Sequence, residues 1–137
     1  MKIPFEGDYL DSDILEQWMM PQDRAYVQML KSRTLNAIAK EIHDNALAHG
    51  WWDEPREFGT VLMLCTSELS EALEADRNGE PMIWDNNGKP DGVAVEMADC
   101  IIRILDWAGS VGVDMEQIIL AKHEYNKTRP YKHGKKY

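Results

Sequence analysis

The chain has 137 residues, a length typical of a single domain, and its 44% hydrophobic fraction is ordinary for a soluble globular protein. Its formal net charge of −9 argues against a general nucleic-acid binder, because recognition of a phosphate backbone calls for a positive face. The same charge leaves room for a small phosphorylated ligand that arrives with a metal ion. Two cysteines, Cys65 and Cys100, provide neither a disulfide framework nor a zinc motif, so we expect them to be core residues in a reducing compartment.

We expect an N-terminal arm over residues 1–33 and one main domain over residues 34–137. The arm is acidic at its start, and its pattern predicts a short helix over about residues 11–20. It lacks the apolar stretch of a signal peptide, and nowhere does the chain approach the roughly 20 consecutive apolar residues that span a bilayer. The sequence therefore predicts a cytoplasmic protein with no membrane contact.

The first half of the main domain is predicted to contain two long helices. Apolar residues recur at helical spacing over about residues 22–49, and Gly50 is placed to end that helix. A connector with the sequence W-W-D-E-P follows, and a second helix is predicted over about residues 58–78.

The second half is predicted to contain a loop and two more helices. Residues 79–92 are rich in Gly, Pro and Asn and are predicted to be a loop. Asp91 is a candidate N-cap for a third helix over about residues 92–109, and Asp114 is a candidate N-cap for a fourth that ends near Lys127. Because no run shows the period of a strand, we predict an all-α, four-helix bundle-like fold.

Two pairs of carboxylates are the strongest functional signal. Glu68 and Glu71 lie three residues apart in the second predicted helix, and Glu96 and Asp99 lie three apart in the third. Residues at this spacing share a helix face, so two adjacent helices would bring four oxygen donors together. Apolar neighbours argue that these carboxylates are not surface charges, and a buried carboxylate needs a cation or a proton. Arg103, one turn beyond Asp99, could neutralise one of them as a structural ion pair.

The donor type narrows the choice of metal. Carboxylate oxygens suit Mg²⁺, with Mn²⁺ or Ca²⁺ also compatible, rather than zinc. A di-iron bundle is disfavoured, because no histidine follows a glutamate by three residues. A partly open Mg²⁺ site usually acts on phosphates, and the basic C-terminal segment offers phosphate contacts. Trp51 and Trp52 are candidates for stacking on a base, although a buried core anchor is an equal alternative for one of them.

Three segments resemble the MazG-like, all-α nucleoside triphosphate pyrophosphohydrolases. They are E-L-S-E-A-L-E-A-D-R (68–77), G-K-P-D-G-V-A-V-E-M-A-D (88–99) and K-H-E-Y-N-K-T-R-P-Y-K-H-G-K-K (122–136), and G-W-W-D (50–53) is also similar to the family. The resemblance covers roughly residues 34–136. It implies a helical bundle that assembles as a homodimer or homotetramer. It also implies cleavage between the α- and β-phosphates of a nucleoside triphosphate, which gives the monophosphate and pyrophosphate.

The resemblance also assigns roles to individual residues. Catalytic Mg²⁺ ligands would be Glu68, Glu71, Glu96 and Asp99. Substrate contacts would come from the tryptophan pair and the C-terminal segment, namely Trp51, Trp52, Lys122, Asn126, Arg129, Lys132 and His133. The family often doubles the first glutamate, whereas Ser67 stands there in this chain, so Glu74 is an alternative ligand and the number of metal ions stays open.

Two rival interpretations remain. The carboxylates could form a structural metal site in a non-catalytic helical interaction module, with Tyr9 and Trp18 of the arm on its partner surface. A phosphoribosyl-ATP pyrophosphohydrolase is the nearer rival, and it ranks lower because the tail and the G-W-W-D segment look more like the MazG-like branch.

Overall fold

The computed structural model describes residues 33–135 of the chain. This part is mainly helical and carries one small antiparallel sheet, which confirms the all-α class in its coarse form. Its elements are α1 (Leu35–Ala48), α2 (Phe58–Arg77), β1 (Trp84–Asn86), β2 (Lys89–Asp91), α3 (Val93–Val111), α4 (Met115–Lys127) and a 3₁₀ turn (Tyr131–Gly134). None of the described helices is both long and apolar enough to cross a membrane. Apart from Arg33, the predicted arm and its helix lie outside the described residues.

Helix α1 is shorter than predicted at its start and ends where predicted. Residues 33 and 34 are not helical, because Thr34 is an extended N-cap whose hydroxyl accepts the Ala37 N–H at 3.2 Å. The part of the prediction over 22–32 lies outside the described residues. At the other end, Gly50 takes a φ of 77° and donates its N–H to the Leu47 carbonyl, which confirms Gly50 as the stop.

The predicted loop over residues 79–92 contains a β-hairpin, so the prediction of no strands was wrong. Strand β1 pairs with β2 in an antiparallel register that places Asn86 opposite Lys89. The two turn residues, Asn87 and Gly88, both have positive φ, 54° and 86°, as a two-residue hairpin of type I′ requires. The strands have three residues each, too few to show an alternating pattern.

The hairpin is fixed to the start of α3 by main-chain contacts. Gly92, with a φ of 118°, is the N-cap, so the prediction that Asp91 caps α3 was wrong. The first two N–H groups of α3, those of Val93 and Ala94, donate to the carbonyls of Pro81 and Met82 at 3.2 and 2.9 Å. A Cβ atom at position 92 would lie 2.5 Å from the Pro81 oxygen, so only glycine allows this approach.

Helix α3 is central, because it packs against both α1 and α2. Two clusters of small apolar side chains hold α2 and α3 together in antiparallel orientation. One contains Val61, Cys65 and Cys100 with Ile104 and Trp107 packed on it, and the other contains Ala72, Ala75 and Val93 with Met82. Both cysteines are free and buried, as expected for core residues.

The C-terminal end of α3 differs from the prediction in one respect. Gly109 and Gly112 were both expected to break the helix; α3 continues through Gly109 to Val111, and Gly112 ends it with a φ of 68°. The prediction for Asp114 is confirmed, because its carboxylate accepts the Gln117 N–H at 2.8 Å and caps α4.

Gly109 is required where α1 crosses α3. A Cβ atom at this position would lie 2.6 Å from the His43 Cβ. We expect Gly109→Ala to lower the free energy of unfolding by about 1–3 kcal/mol, because the helices must move apart. Gly59→Ala is the matched control, since nothing lies within 4 Å of a Cβ there, and it should be neutral or stabilise by up to about 1 kcal/mol. Urea denaturation of both variants measures the difference, and equal values would contradict a tight crossing at Gly109.

Candidate metal centre

Three of the four predicted carboxylates converge on one point between α2 and α3. Glu68 of α2 and Glu96 and Asp99 of α3 each place one oxygen within 4.8 Å of the other two. Glu68 is buried, with 6% of its surface exposed, and the other two are partly buried. The antiparallel packing of the two helices brings these residues together, although 28 positions of sequence separate Glu68 from Glu96.

The fourth carboxylate, Glu71, is not part of this group, and the expectation that it is buried was wrong. It is exposed, because Ala72 and Ala75 occupy the face of α2 that packs against α3. Its charge nevertheless acts on Glu96. Glu74, the alternative ligand, is also exposed.

The three converging carboxylates carry unfavourable negative charge. Burial raises the pKa of Glu96 above its ordinary value, and the neighbouring charges of Glu71, Asp99 and Glu68 raise it further. Burial also raises the pKa of Asp99, followed by the charge of Glu68. These directions show that the cluster favours the uptake of a cation or a proton.

Arg103 forms an ion pair with the most buried member of the cluster. Its Nε donates to Glu68 Oε1 at 2.6 Å, and its Nη2 lies 2.5 Å from the same oxygen. The structural ion pair expected for Arg103 is therefore present, with Glu68 as its partner. One guanidinium group does not neutralise three carboxylates, so the cluster keeps the net negative charge that a divalent cation requires.

Two of the three carboxylates, Glu68 and Asp99, border a cleft of about 540 Å³, a volume suited to a small-molecule ligand. Helix α1 and the connector after it form the opposite side. Among the lining residues are Ile42, Asn45, Ala46, Trp51, Arg56, Glu68, Asp99 and Arg103.

The two predicted tryptophan contacts occupy different environments. Trp51 lines the cleft and is 64% exposed. Trp52 instead donates its Nε1–H to both carboxylate oxygens of Asp106, at 2.9 and 3.1 Å, and lies edge-on to the His43 ring. Trp52 is partly buried and anchors the connector to α3, which agrees with the anchoring alternative for one of the two tryptophans. The Arg56 guanidinium group lies over both indole rings, 5.9 and 5.1 Å from the Trp51 and Trp52 centroids.

Sequence reasoning missed Asp106. It is buried, lines the cleft, and accepts from Trp52 and from His43 Nδ1, the latter at 2.8 Å. Its position three residues after Arg103 and seven after Asp99 places it on the same helix face. That spacing was available in the sequence as a signal.

The predicted phosphate contacts in the C-terminal segment do not line the cleft formed by residues 33–135. Helix α4 starts beyond the end of α3, and the axial rise from Asp99 to Val111 is about 18 Å. All five side chains are exposed: Lys122, Asn126, Arg129, Lys132 and His133. Within a single chain, the structure does not bring them to the carboxylates.

Comparison of the chain with protein-family models, with curated proteins and with solved structures finds no match in any of the three. Membership of the MazG-like family and assembly as a homodimer or homotetramer therefore stay predictions from the sequence motifs.

The charge repulsion can be tested on the metal-free protein. Because the pKa of Glu96 is raised, the stability that its protonated form contributes at acid pH is lost as the pH rises through that pKa. At neutral pH we therefore expect Glu96→Gln to raise the Tm by a few degrees without Mg²⁺ and to remove most of the Tm increase that Mg²⁺ causes. Asp76→Asn, an exposed position on α2 outside the cluster, is the matched control and should change neither value. Thermal denaturation with and without Mg²⁺ decides, and a full Mg²⁺ response in Glu96→Gln would remove Glu96 from the centre.

Proposed function

We propose that this chain is a Mg²⁺-dependent nucleoside triphosphate pyrophosphohydrolase with a MazG-type helical fold. It hydrolyses a ribo- or deoxyribonucleoside triphosphate to the monophosphate and pyrophosphate. The observation that carries the proposal is the convergence of Glu68, Glu96 and Asp99, of which Glu68 and Asp99 line a ligand-sized cleft. The reaction class is taken from the motif resemblance. The three carboxylates that converge in the structure also belong to the motifs that carry this resemblance.

The donor set fits the proposed ion. Glu68, Glu96 and Asp99 offer only hard oxygen ligands, which suit Mg²⁺, with Mn²⁺ as a substitute. When bound there, Mg²⁺ would neutralise phosphate charge and make a water molecule more nucleophilic. Mg²⁺ commonly keeps several positions for water and substrate phosphates, so three carboxylates do not close the site.

The residues of the chain perform the remaining tasks. Arg103 holds Glu68 in one orientation through its two contacts. The exposed ring of Trp51 at the cleft offers a stacking surface for a base. The oxygen of the attacking water bonds to the α-phosphorus while the bond to the bridging oxygen breaks, and pyrophosphate leaves. The proton of the water passes to a carboxylate of the cluster or to solvent.

Product analysis tests the reaction. We expect the purified protein with Mg²⁺ to convert at least one common nucleoside triphosphate to monophosphate and pyrophosphate. Asp99→Asn should lower kcat by at least about 100-fold, because it removes a metal ligand. Asp76→Asn, at an exposed position of α2 outside the cluster, is the matched control and should keep full activity.

Other products would lead to different conclusions. Diphosphate and orthophosphate would mean attack at the γ-phosphorus and would contradict the proposed mechanism. Metal-dependent stabilisation without turnover of any nucleotide would favour the non-catalytic helical module with a structural metal site.

The role of the C-terminal segment needs a separate test. Because Arg129 does not reach the carboxylates of its own chain, its phosphate contact requires a neighbouring subunit of the proposed homo-oligomer. In that arrangement Arg129→Ala should raise the KM for the nucleotide about tenfold, because a charge-assisted phosphate contact is lost, and should leave the Tm unchanged, because the side chain is exposed. Arg77→Ala, at the exposed end of α2, is the control for the loss of one arginine charge. Steady-state kinetics of the two variants measure the difference, and equal KM values would remove Arg129 from the site.

A further inference from the structure

The β-hairpin holds a fixed position beside the carboxylate cluster. The Asp85 carboxylate accepts the Gly88 N–H at 3.1 Å and stabilises the turn. The backbone contacts of Pro81 and Met82 with the first turn of α3 attach the hairpin to the helix that carries Glu96 and Asp99. Glu96 itself lies in that first turn.

Strand β2 of the hairpin carries a cationic residue, Lys89, close in the chain to the first turn of α3. The Lys89 side chain is 71% exposed, and its Nζ lies 3.9 Å from Asp91 Oδ2. The Asp91 carboxylate already accepts from Asn86 Nδ2 and the Gly92 N–H, at 3.0 and 2.9 Å. Lys89 lies three residues before Gly92, the N-cap of α3, and Glu96 is in the first turn of that helix.

Lys89 and Arg103 differ in what they are free to bind. Arg103 is engaged, since two of its nitrogens contact Glu68 at 2.5 and 2.6 Å. The 3.9 Å separation of Lys89 from Asp91 exceeds hydrogen-bond distance, so the ammonium group keeps its donors for another acceptor. A polyphosphate at the cluster would bring more negative charge than one divalent ion neutralises. An exposed ammonium group beside the cluster fits that excess.

We propose that Lys89 is a phosphate-binding residue of this centre, and that its ammonium group donates hydrogen bonds to the polyphosphate part of the substrate and to product pyrophosphate. This inference rests on the proposed function and adds a residue that the motif resemblance does not assign. It predicts that Lys89 has opposite effects on the binding of Mg²⁺ alone and on the binding of phosphate. In the protein without phosphate, Lys89 repels Mg²⁺, whereas in the phosphate complex it attracts the anion.

Calorimetric titration of the full chain tests these two effects separately. Lys89→Met should raise the Kd for inorganic pyrophosphate, measured with Mg²⁺ present, about tenfold or more. The same variant should bind Mg²⁺ alone as tightly as the wild type or more tightly. Lys89→Arg should keep most of the pyrophosphate affinity, because it keeps a donating cation at the same place.

Lys40→Met is the matched control. Lys40 is an exposed lysine of α1 with 75% of its side chain accessible, and it pairs with Asp44 away from the cleft. The control loses the same unit of charge, so any general effect of net charge appears in both variants. We expect Lys40→Met to change the pyrophosphate Kd by less than about twofold.

Three outcomes would overturn the assignment of Lys89. The first is that Lys89→Met and Lys40→Met weaken pyrophosphate binding equally. The second is that Lys89→Met weakens the binding of Mg²⁺ and of pyrophosphate by the same factor. The third is that Lys89→Met leaves the pyrophosphate affinity unchanged. A failure of the proposed function would be distinguishable from these outcomes. A wild-type protein that binds pyrophosphate with Mg²⁺ but turns over no nucleotide would refute the hydrolase activity and would leave the assignment of Lys89 as a phosphate ligand intact.

Discussion

The packing of α2 against α3 is the constraint on which the rest of the structure depends. It brings together three carboxylates that repel one another, and burial adds to the cost of their charge. Two clusters of small apolar side chains lie along the helices, one on each side of the carboxylates. They offset the cost of the buried charge by removing apolar surface from water. Because Ala, Cys and Val predominate at this contact, the two backbones approach closely, and the carboxylates cannot move apart without breaking the core. A cluster held in this way gains most from a bound cation.

The same helix α3 also shapes the cleft. Asp106 accepts hydrogen bonds from Trp52 and His43 and so attaches the connector and α1 to α3. Since Trp52 is held by this contact, its neighbour Trp51 is left exposed at the mouth of the cleft. Helix α3 thus carries two of the three clustered carboxylates and also fixes the connector that carries the exposed Trp51 ring.

The sequence predicted those features that depend on helical periodicity. The apolar periodicity is strong in the segment that contains Glu68 and in the segment that contains Glu96 and Asp99. This periodicity was sufficient to place the three carboxylates on two facing helices. The expected burial of Glu71 was wrong, since a spacing of three residues defines a helix face only within about 60°. Gly109 was misjudged for another reason. Its low helix propensity was offset by the close contact with His43, which no local pattern reveals.

Features that depend on short strands or on tertiary contacts were not predicted. The Asn87-Gly88 turn was a hairpin signal, but its three-residue strands are too short to alternate visibly. Asp106 was overlooked because a single acid among apolar helical residues is ordinary, and only its contacts with Trp52 and His43 distinguish it. Its role follows from packing between elements that are distant in sequence.

The two parts of the predicted site, the carboxylate cluster and the basic C-terminal segment, are consequently held by different contacts. The carboxylates are held by buried contacts of α2 and α3, whereas no described residue of α4 is buried, and its apolar side chains Ile118, Ile119 and Leu120 are about half exposed. Helix α4 is held to α1 at its start, where Asn36 bonds to Asp114 and Glu116. The basic side chains that follow do not line the cleft formed by residues 33–135. Two cations lie at or near the carboxylates: Arg103, in an ion pair with Glu68, and Lys89, on the hairpin that is attached to the first turn of α3. Of these two, Lys89 has donors left for an anion, and it is therefore the residue that we propose as a phosphate contact.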